Sequence, residues 1–219
     1  MISHYHKAIF VHIPKCGGQS IETLFLDDLG LDWKARAPLL LRGNKNPKLG
    51  PPKLAHLLAS EYVKFHYISE DLFQDYFKFS YIRNPFDRAI SLFNYLNHKL
   101  DLTRFVMEWL PKQFALSSNY KNYPHTYPGW YHFVRPQTDY IFDTTGKKEK
   151  LLIDRYYKLE EISDNHAEIT KLLKNKKTMK HVNKSKKNIA SIDDLSQPMK
   201  ETLFNLYKVD FDNFGYSHL

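Results

Sequence analysis

Lys-Ala-Ile-Phe-Val-His-Ile-Pro-Lys-Cys-Gly-Gly-Gln-Ser-Ile-Glu-Thr-Leu-Phe-Leu-Asp-Asp-Leu, residues 7–29, is the stretch on which the fold turns. Ala8 to Ile13 is apolar apart from His12 and rich in β-branched and aromatic side chains, which predicts a buried strand. From Ser20 onward, Ile21, Leu24, Phe25 and Leu29 repeat on one face of a helix, and Gly30 supplies a stop. Between strand and helix lies Pro14-Lys15-Cys16-Gly17-Gly18-Gln19-Ser20. A glycine loop that feeds a helix N-terminus turns backbone N–H groups toward one spot, where the helix dipole also favours negative charge. Lys15 adds an ammonium and Ser20 a hydroxyl, so the segment reads as an anion cradle, most naturally for phosphate. An ordinary βα turn would use the same glycines only for their freedom at positive φ.

Two better-known phosphate loops are excluded. A nucleoside-triphosphate loop places its lysine after the glycines, and a dinucleotide fold needs Gly-x-Gly-x-x-Gly after its first strand. Here Lys15 precedes Gly17 and Gly18. Working outward, Phe77 to Ile82 is a second apolar strand, followed by Arg83-Asn84-Pro85-Phe86-Asp87-Arg88. Asn84 is a good helix cap, Pro85 suits a first helical position, and Ala89, Ile90, Leu92, Phe93 and Leu96 give the helix an apolar face. Arg83 then stands where a strand ends, at the sheet edge where α/β proteins bind ligands. Ser91, two turns into the helix, shares its face, and an arginine beside a hydroxyl can grip a second phosphate. Helix capping by Arg83 and a solvated Ser91 is the other reading of the same residues.

Together the two segments resemble the cofactor motifs of the carbohydrate (family 2-like) sulfotransferases, which use 3′-phosphoadenosine 5′-phosphosulfate (PAPS). His12 to Ser20 resembles the family's His-Ile-Pro-Lys-Thr-Gly-Gly-Thr-Ser motif, with Cys16 and Gln19 in place of the threonines. Arg83, Asn84, Pro85, Arg88 and Ser91 are similar to its Arg-Asp/Asn-Pro-x-x-Arg-x-x-Ser motif. The resemblance implies that Lys15, Cys16, Gly17, Gly18, Gln19 and Ser20 hold the 5′-phosphosulfate side, and that Arg83 and Ser91 hold the 3′-phosphate. Three later stretches are similar to family ones: Arg135 to Tyr140 with its Pro-Gln-Thr, His181-Val182-Asn183-Lys184-Ser185, and Asp210 to Tyr216. The resemblance implies that Asn183, Lys184 and Ser185 lie near the cofactor. Cys16 and Gln19 remove two hydroxyls from the cradle, which backbone N–H groups can offset, and Gln19 can donate through its amide.

The chain has 219 residues, 42% of them hydrophobic and 15% aromatic, enough for one packed α/β domain over 1–219 and too apolar for disorder. The order strand–loop–helix–strand–helix, then helices and late strands, predicts a mostly parallel central sheet flanked by helices, and the resemblance implies a single P-loop-like domain. Residues 42–53 read as a surface loop by their Gly, Pro and Lys content. Net charge is +8, which suits an anionic cofactor, an anionic glycan or nucleic acid, although most of the lysines need be no more than a solvated face. One cysteine leaves no intrachain disulfide. No signal peptide and no apolar run of membrane-spanning length is evident, so the expected location is cytoplasmic.

Sulfuryl transfer of the kind implied needs positioning and charge stabilisation rather than a metal, and no convincing metal spacing is present. The resemblance makes Lys15 the electrophilic helper at the bridging oxygen. The acceptor hydroxyl needs a general base, for which histidine is suited. His56, in Ala55-His56-Leu57-Leu58-Ala59-Ser60-Glu61-Tyr62, is favoured because that segment is similar to a family stretch. His66 stands nearer the second loop and is the competing candidate, and His12 is read as support for the first loop. Cys16, beside Lys15 and a helix N-terminus, has surroundings that lower a thiol pKa and favour alkylation. Residues 117–133, rich in tyrosine and carrying Trp130, are either a sugar platform or an aromatic core cover. The expected partner is a carbohydrate or glycan acceptor, with no nucleic acid and no membrane span. The alternatives are a nucleotide-dependent phosphotransferase, a non-catalytic polyanion-binding protein, or a sulfotransferase fold that binds PAPS without transfer.

Overall fold

The computed structural model describes residues 1–46, 52–96, 100–117, 130–145, 149–175 and 189–217. The fold is mixed α/β, and it divides into two compact units, Met1–Ile82 with Asp139–Lys184, and Arg83–Thr138 with Ser185–Leu219.

The first unit carries the sheet. Its four strands are β1 (Ile2–Ser3), β2 (Ala8–Val11), β3 (Phe77–Ile82) and Arg155–Lys158, in that spatial order. β2, β3 and Arg155–Lys158 run parallel, and only β1 is antiparallel. β3 matches the sequence expectation residue for residue. β2 stops at Val11 rather than Ile13, since the His12 carbonyl is taken by a side chain and Pro14 has no N–H to pair. Every residue of β2 and all but the first of β3 are buried, as parallel strands covered on both faces should be. Phe10 and Phe79 lie opposite one another in the ladder with ring centroids 5.1 Å apart. Ser80, the polar exception, donates its hydroxyl to the Val11 carbonyl at 2.7 Å.

Helix α1 (Gly18–Asp28) packs on this sheet through Ile21, Leu24, Phe25 and Leu26, each at most 2% exposed. Each such side chain contributes about 1.5–3 kcal/mol of burial. The helix begins two residues before the expected Ser20, and Gly30 in the left-handed region ends it, with the Leu31 N–H reaching back to the Leu26 carbonyl. Short helices α2 (Glu61–Lys64) and α3 (Glu70–Asp75) follow. Lys78 on β3 buries its ammonium where α3 ends, donating to the carbonyls of Phe73, Gln74 and Tyr76. A hairpin of Phe142–Asp143 and Lys150–Leu151 and the helix Ile162–Thr170 complete the described part of this unit.

The second unit is helical. Helix α4 (Pro85–Leu96) starts as expected, with Asn84 accepting the Phe86 N–H at 2.9 Å. Its apolar face, including Phe86, Leu92 and Phe93, packs with Phe105, Leu110, Val134, Leu203 and Phe211 into one core. The helix Gln197–Phe214 supplies the last two. Residues Phe105–Trp109 form a π turn just before Pro111, whose missing N–H and bulky ring oppose a regular α turn there.

Candidate functional site

In the first unit, the loop after β2 is wound tightly. Lys15 and Gly17 both take left-handed backbone angles, at φ 69° and 73°. Lys15 is a non-glycine residue in a conformation that costs of order 1–3 kcal/mol, a kind of strain that clusters at ligand sites. Alternating handedness of this sort forms concave nests of N–H groups that take anions. Gly17 caps α1 with no side-chain bond, and no acidic residue stands in the first turn. The helix dipole there is therefore left for an outside anion.

Gly18 is fixed by its neighbour. A Cβ built on it would sit 2.1 Å from Cδ2 of His12, and that ring cannot retreat. His12 Nδ1 lies 2.6 Å from the buried Glu22 carboxylate, and the ring stacks against Phe10. His12 is thus a support for the loop, as expected from the sequence. Glu22 was not anticipated: a carboxylate inside an apolar helix face was its only sign. Cys16 is buried, and its Sγ lies 3.7 Å from the Pro14 carbonyl. The thiol is buried, so the expected alkylation is opposed, and the Cys16 N–H closes the loop by donating to the Ile13 carbonyl at 3.3 Å. Lys15, Gln19 and Ser20 are half-buried.

His56 joins this loop. Its Nδ1 is 3.0 Å from the His12 carbonyl, and its ring centroid is 4.4 Å from that of His12. A carbonyl only accepts, so Nδ1 carries the hydrogen and Nε2 is the basic nitrogen. A cavity of about 260 Å³ is lined by His56, His12, Gln19 and Glu22, and on its other walls by Trp33, Arg36, Arg42 and Lys53. His66 does not line it. It is exposed, with φ 59°, just past the end of α2. The cationic and indole lining went unforeseen, because only the turn at Trp33–Ala35 and the bridge between Gly43 and Lys53 bring those residues round.

In the second unit, the Arg83 backbone is held from both sides. Its N–H donates to Gln137 Oε1, and its carbonyl accepts from Gln137 Nε2, both at 2.8 Å. Gln137 is positioned in turn by Asp210. That carboxylate accepts the N–H groups of Gln137 and Thr138 and the Thr138 hydroxyl at 2.8–2.9 Å. Burial pushes the Asp210 carboxyl up from its ordinary value, against the opposing pull of Arg88 and these donors. Two late stretches singled out from the sequence are therefore a brace for Arg83. Arg88 is also structural, donating to the carbonyls of Arg135 and Phe133. Ser91 is half-buried on α4. Trp130 is exposed, with its backbone N–H donating to Gln113 Oε1 at 2.9 Å. Asn183, Lys184 and Ser185, and residues 118–129 of the aromatic stretch, lie outside the described residues. Among the described residues, no group of three His, Cys, Asp or Glu is placed to hold a metal, and no helix is long and apolar enough to cross a membrane.

The first unit thus holds a strained lysine–glycine loop at a helix N-terminus, and the second an arginine whose backbone is locked by Gln137. Residues 1–145 match the model of the sulfotransferase family. The chain belongs to the sulfotransferase family. Comparison with curated proteins and with solved structures gives no match. The matched span runs through both loops, the cavity lining and Gln137. A sulfotransferase requires a binding place for an anionic sulfuryl donor, and the capless, acid-free start of α1 has the donor chemistry for it.

Proposed function

We propose that this sulfotransferase moves a sulfuryl group from PAPS to a hydroxyl of a carbohydrate acceptor. The observation that carries the reading is the joining of His56, through the His12 carbonyl, to the left-handed loop of Lys15 and Gly17. PAPS supplies the activated sulfuryl group. The Lys15 ammonium and the backbone N–H groups of Gly17 and Gly18 hold its 5′ side, while those of Cys16 and Ser20 donate to the Ile13 and Gly17 carbonyls and shape the loop. Arg83, with its backbone fixed by Gln137, and Ser91 take the 3′-phosphate. Lys15 stabilises the negative charge that gathers on the bridging oxygen as its bond to sulfur breaks. His56 takes the acceptor hydroxyl proton at Nε2 while the new oxygen–sulfur bond forms. Work of this kind by positioned charges needs no reorganisation at the moment of reaction.

Titration with adenosine 3′,5′-bisphosphate, ATP and AMP by calorimetry tests the donor site. Tight binding of the bisphosphate alone, weakened at least about tenfold in Arg83→Ala, is expected from loss of charge-assisted bonds to phosphate. A preference for ATP, or no binding, would overturn the reading.

A further inference from the structure

Arg83 stands one residue past the last rung of its ladder, since β3 ends in the pairing of Ile82 with Lys158. Its N–H and carbonyl need partners other than a strand, because a peptide group left unmet away from water is costly. One primary amide supplies both: Gln137 accepts at Oε1 and donates at Nε2. A side chain here takes the place of a neighbouring strand's peptide unit. Glutamate cannot donate and methionine can do neither, so the bonding demands an amide. The amide cannot turn over either. Nε2 also lies 3.4 Å from Asp210 Oδ2, and a reversed amide would set Oε1 against that carboxylate and against the Arg83 carbonyl.

The two peptide groups fixed in this way flank the Arg83 Cα. Together they set its φ and ψ, and with them the direction in which the side chain leaves the backbone. Gln137, Thr138 and Asp210 are each 0% exposed, so none of them can slip into water. Asp210 is carried on the long helix Gln197–Phe214 and takes the N–H groups of Gln137 and Thr138 as well. Such fixing matters for an arginine in particular. A guanidinium grips phosphate by two parallel bonds that need planar alignment, and a long side chain swings from its root. Resting on the reading of Arg83 as the 3′-phosphate grip, we infer that Gln137 is a positioning residue for donor recognition. It touches no nucleotide; acting through Arg83, and held by Asp210, it sets the preference for a nucleotide phosphorylated at the 3′ position.

The test is the ratio of dissociation constants for AMP and adenosine 3′,5′-bisphosphate, which differ only in the 3′-phosphate. General loosening of the fold weakens both nucleotides and leaves the ratio alone. Gln137→Met, of similar length but without the amide, should lower the ratio about tenfold, the worth of one charge-assisted bond. Gln137→Asn, a methylene too short to reach the Arg83 backbone, should lower it too, and it carries the test if the apolar variant does not fold. In an Arg83→Ala background neither substitution should lower the ratio further. An unchanged ratio in a folded variant, or a fall of the same size in the Arg83→Ala background, overturns the inference. A wild type that binds the two nucleotides equally strikes the reading of Arg83, and the inference with it; a wild-type preference that survives in the variants strikes Gln137 alone.

Discussion

At the scale of single residues, the contest between His56 and His66 comes down to what each ring is given. His56 has a fixed tautomer, through its bond to the His12 carbonyl, and a place on the cavity wall. His66 has neither, and its positive φ belongs to the turn that ends α2. Removing a general base costs about 10²–10⁴ in rate. His56→Gln should therefore lose turnover by that order while binding adenosine 3′,5′-bisphosphate as the wild type does, and His66→Gln should keep both within about twofold. Steady-state rates with calorimetry on each variant decide it; an active His56→Gln beside a dead His66→Gln would reverse the assignment. His56 could be picked out as a candidate from the segment around it. Its bond to the loop could not, since the partner atom is a backbone carbonyl 44 residues away.

At the scale of the element, the strand–loop–helix is held by two glycines for different reasons. Gly17 is needed for its positive φ, and the nearest obstacle to a Cβ there is a flexible Leu159 methyl at 2.7 Å. Gly18 is needed for close approach to a ring that Glu22 pins. Overpacking against an immovable neighbour costs about 1–3 kcal/mol or more, while a left-handed alanine costs about 1–2 kcal/mol. Gly18→Ala should lower stability more than Gly17→Ala in urea unfolding, and the reverse order would remove His12 as the constraint. Hydrophobic period and cap residues made β3 and α4 legible in the sequence, because both are local signals. The two-residue shift in α1 was not, since it depends on which glycine turns left-handed. Nor was the brace of Gln137 by Asp210, whose members are 73 residues apart.

At the scale of the whole molecule, the first unit is built from two separate lengths of chain, so contacts of long sequence separation must close it. The pairing of β3 with Arg155–Lys158 is one, and the bond from the Ala59 N–H to the Tyr140 carbonyl is another. The farthest-reaching is Asp28, at the last position of α1. Its carboxylate accepts the N–H groups of Lys174 and Asn175 at 2.8–3.0 Å and meets His6 Nε2 at 2.9 Å. Burial alone would raise this carboxyl; the bonds from His6 and the two N–H groups outweigh it and hold the group below the ordinary 3.8. A carboxyl depressed in the fold stabilises it above the unfolded value, and that stabilisation fades as pH falls through the lowered one. Asp210, raised by burial, has the opposite sign: its ionisation opposes folding as pH rises through its raised value. Asp28→Asn should therefore cost about 1.5–3 kcal/mol near pH 7, from loss of bonds to a charged acceptor. The gap to wild type should hold on acidification to about pH 5 and narrow below it, as the pH falls through the lowered value of the folded carboxyl. Thermal unfolding of both proteins across that range measures the gap. A constant gap would mean that Asp28 acts through its shape alone, and that its charge does not close the unit.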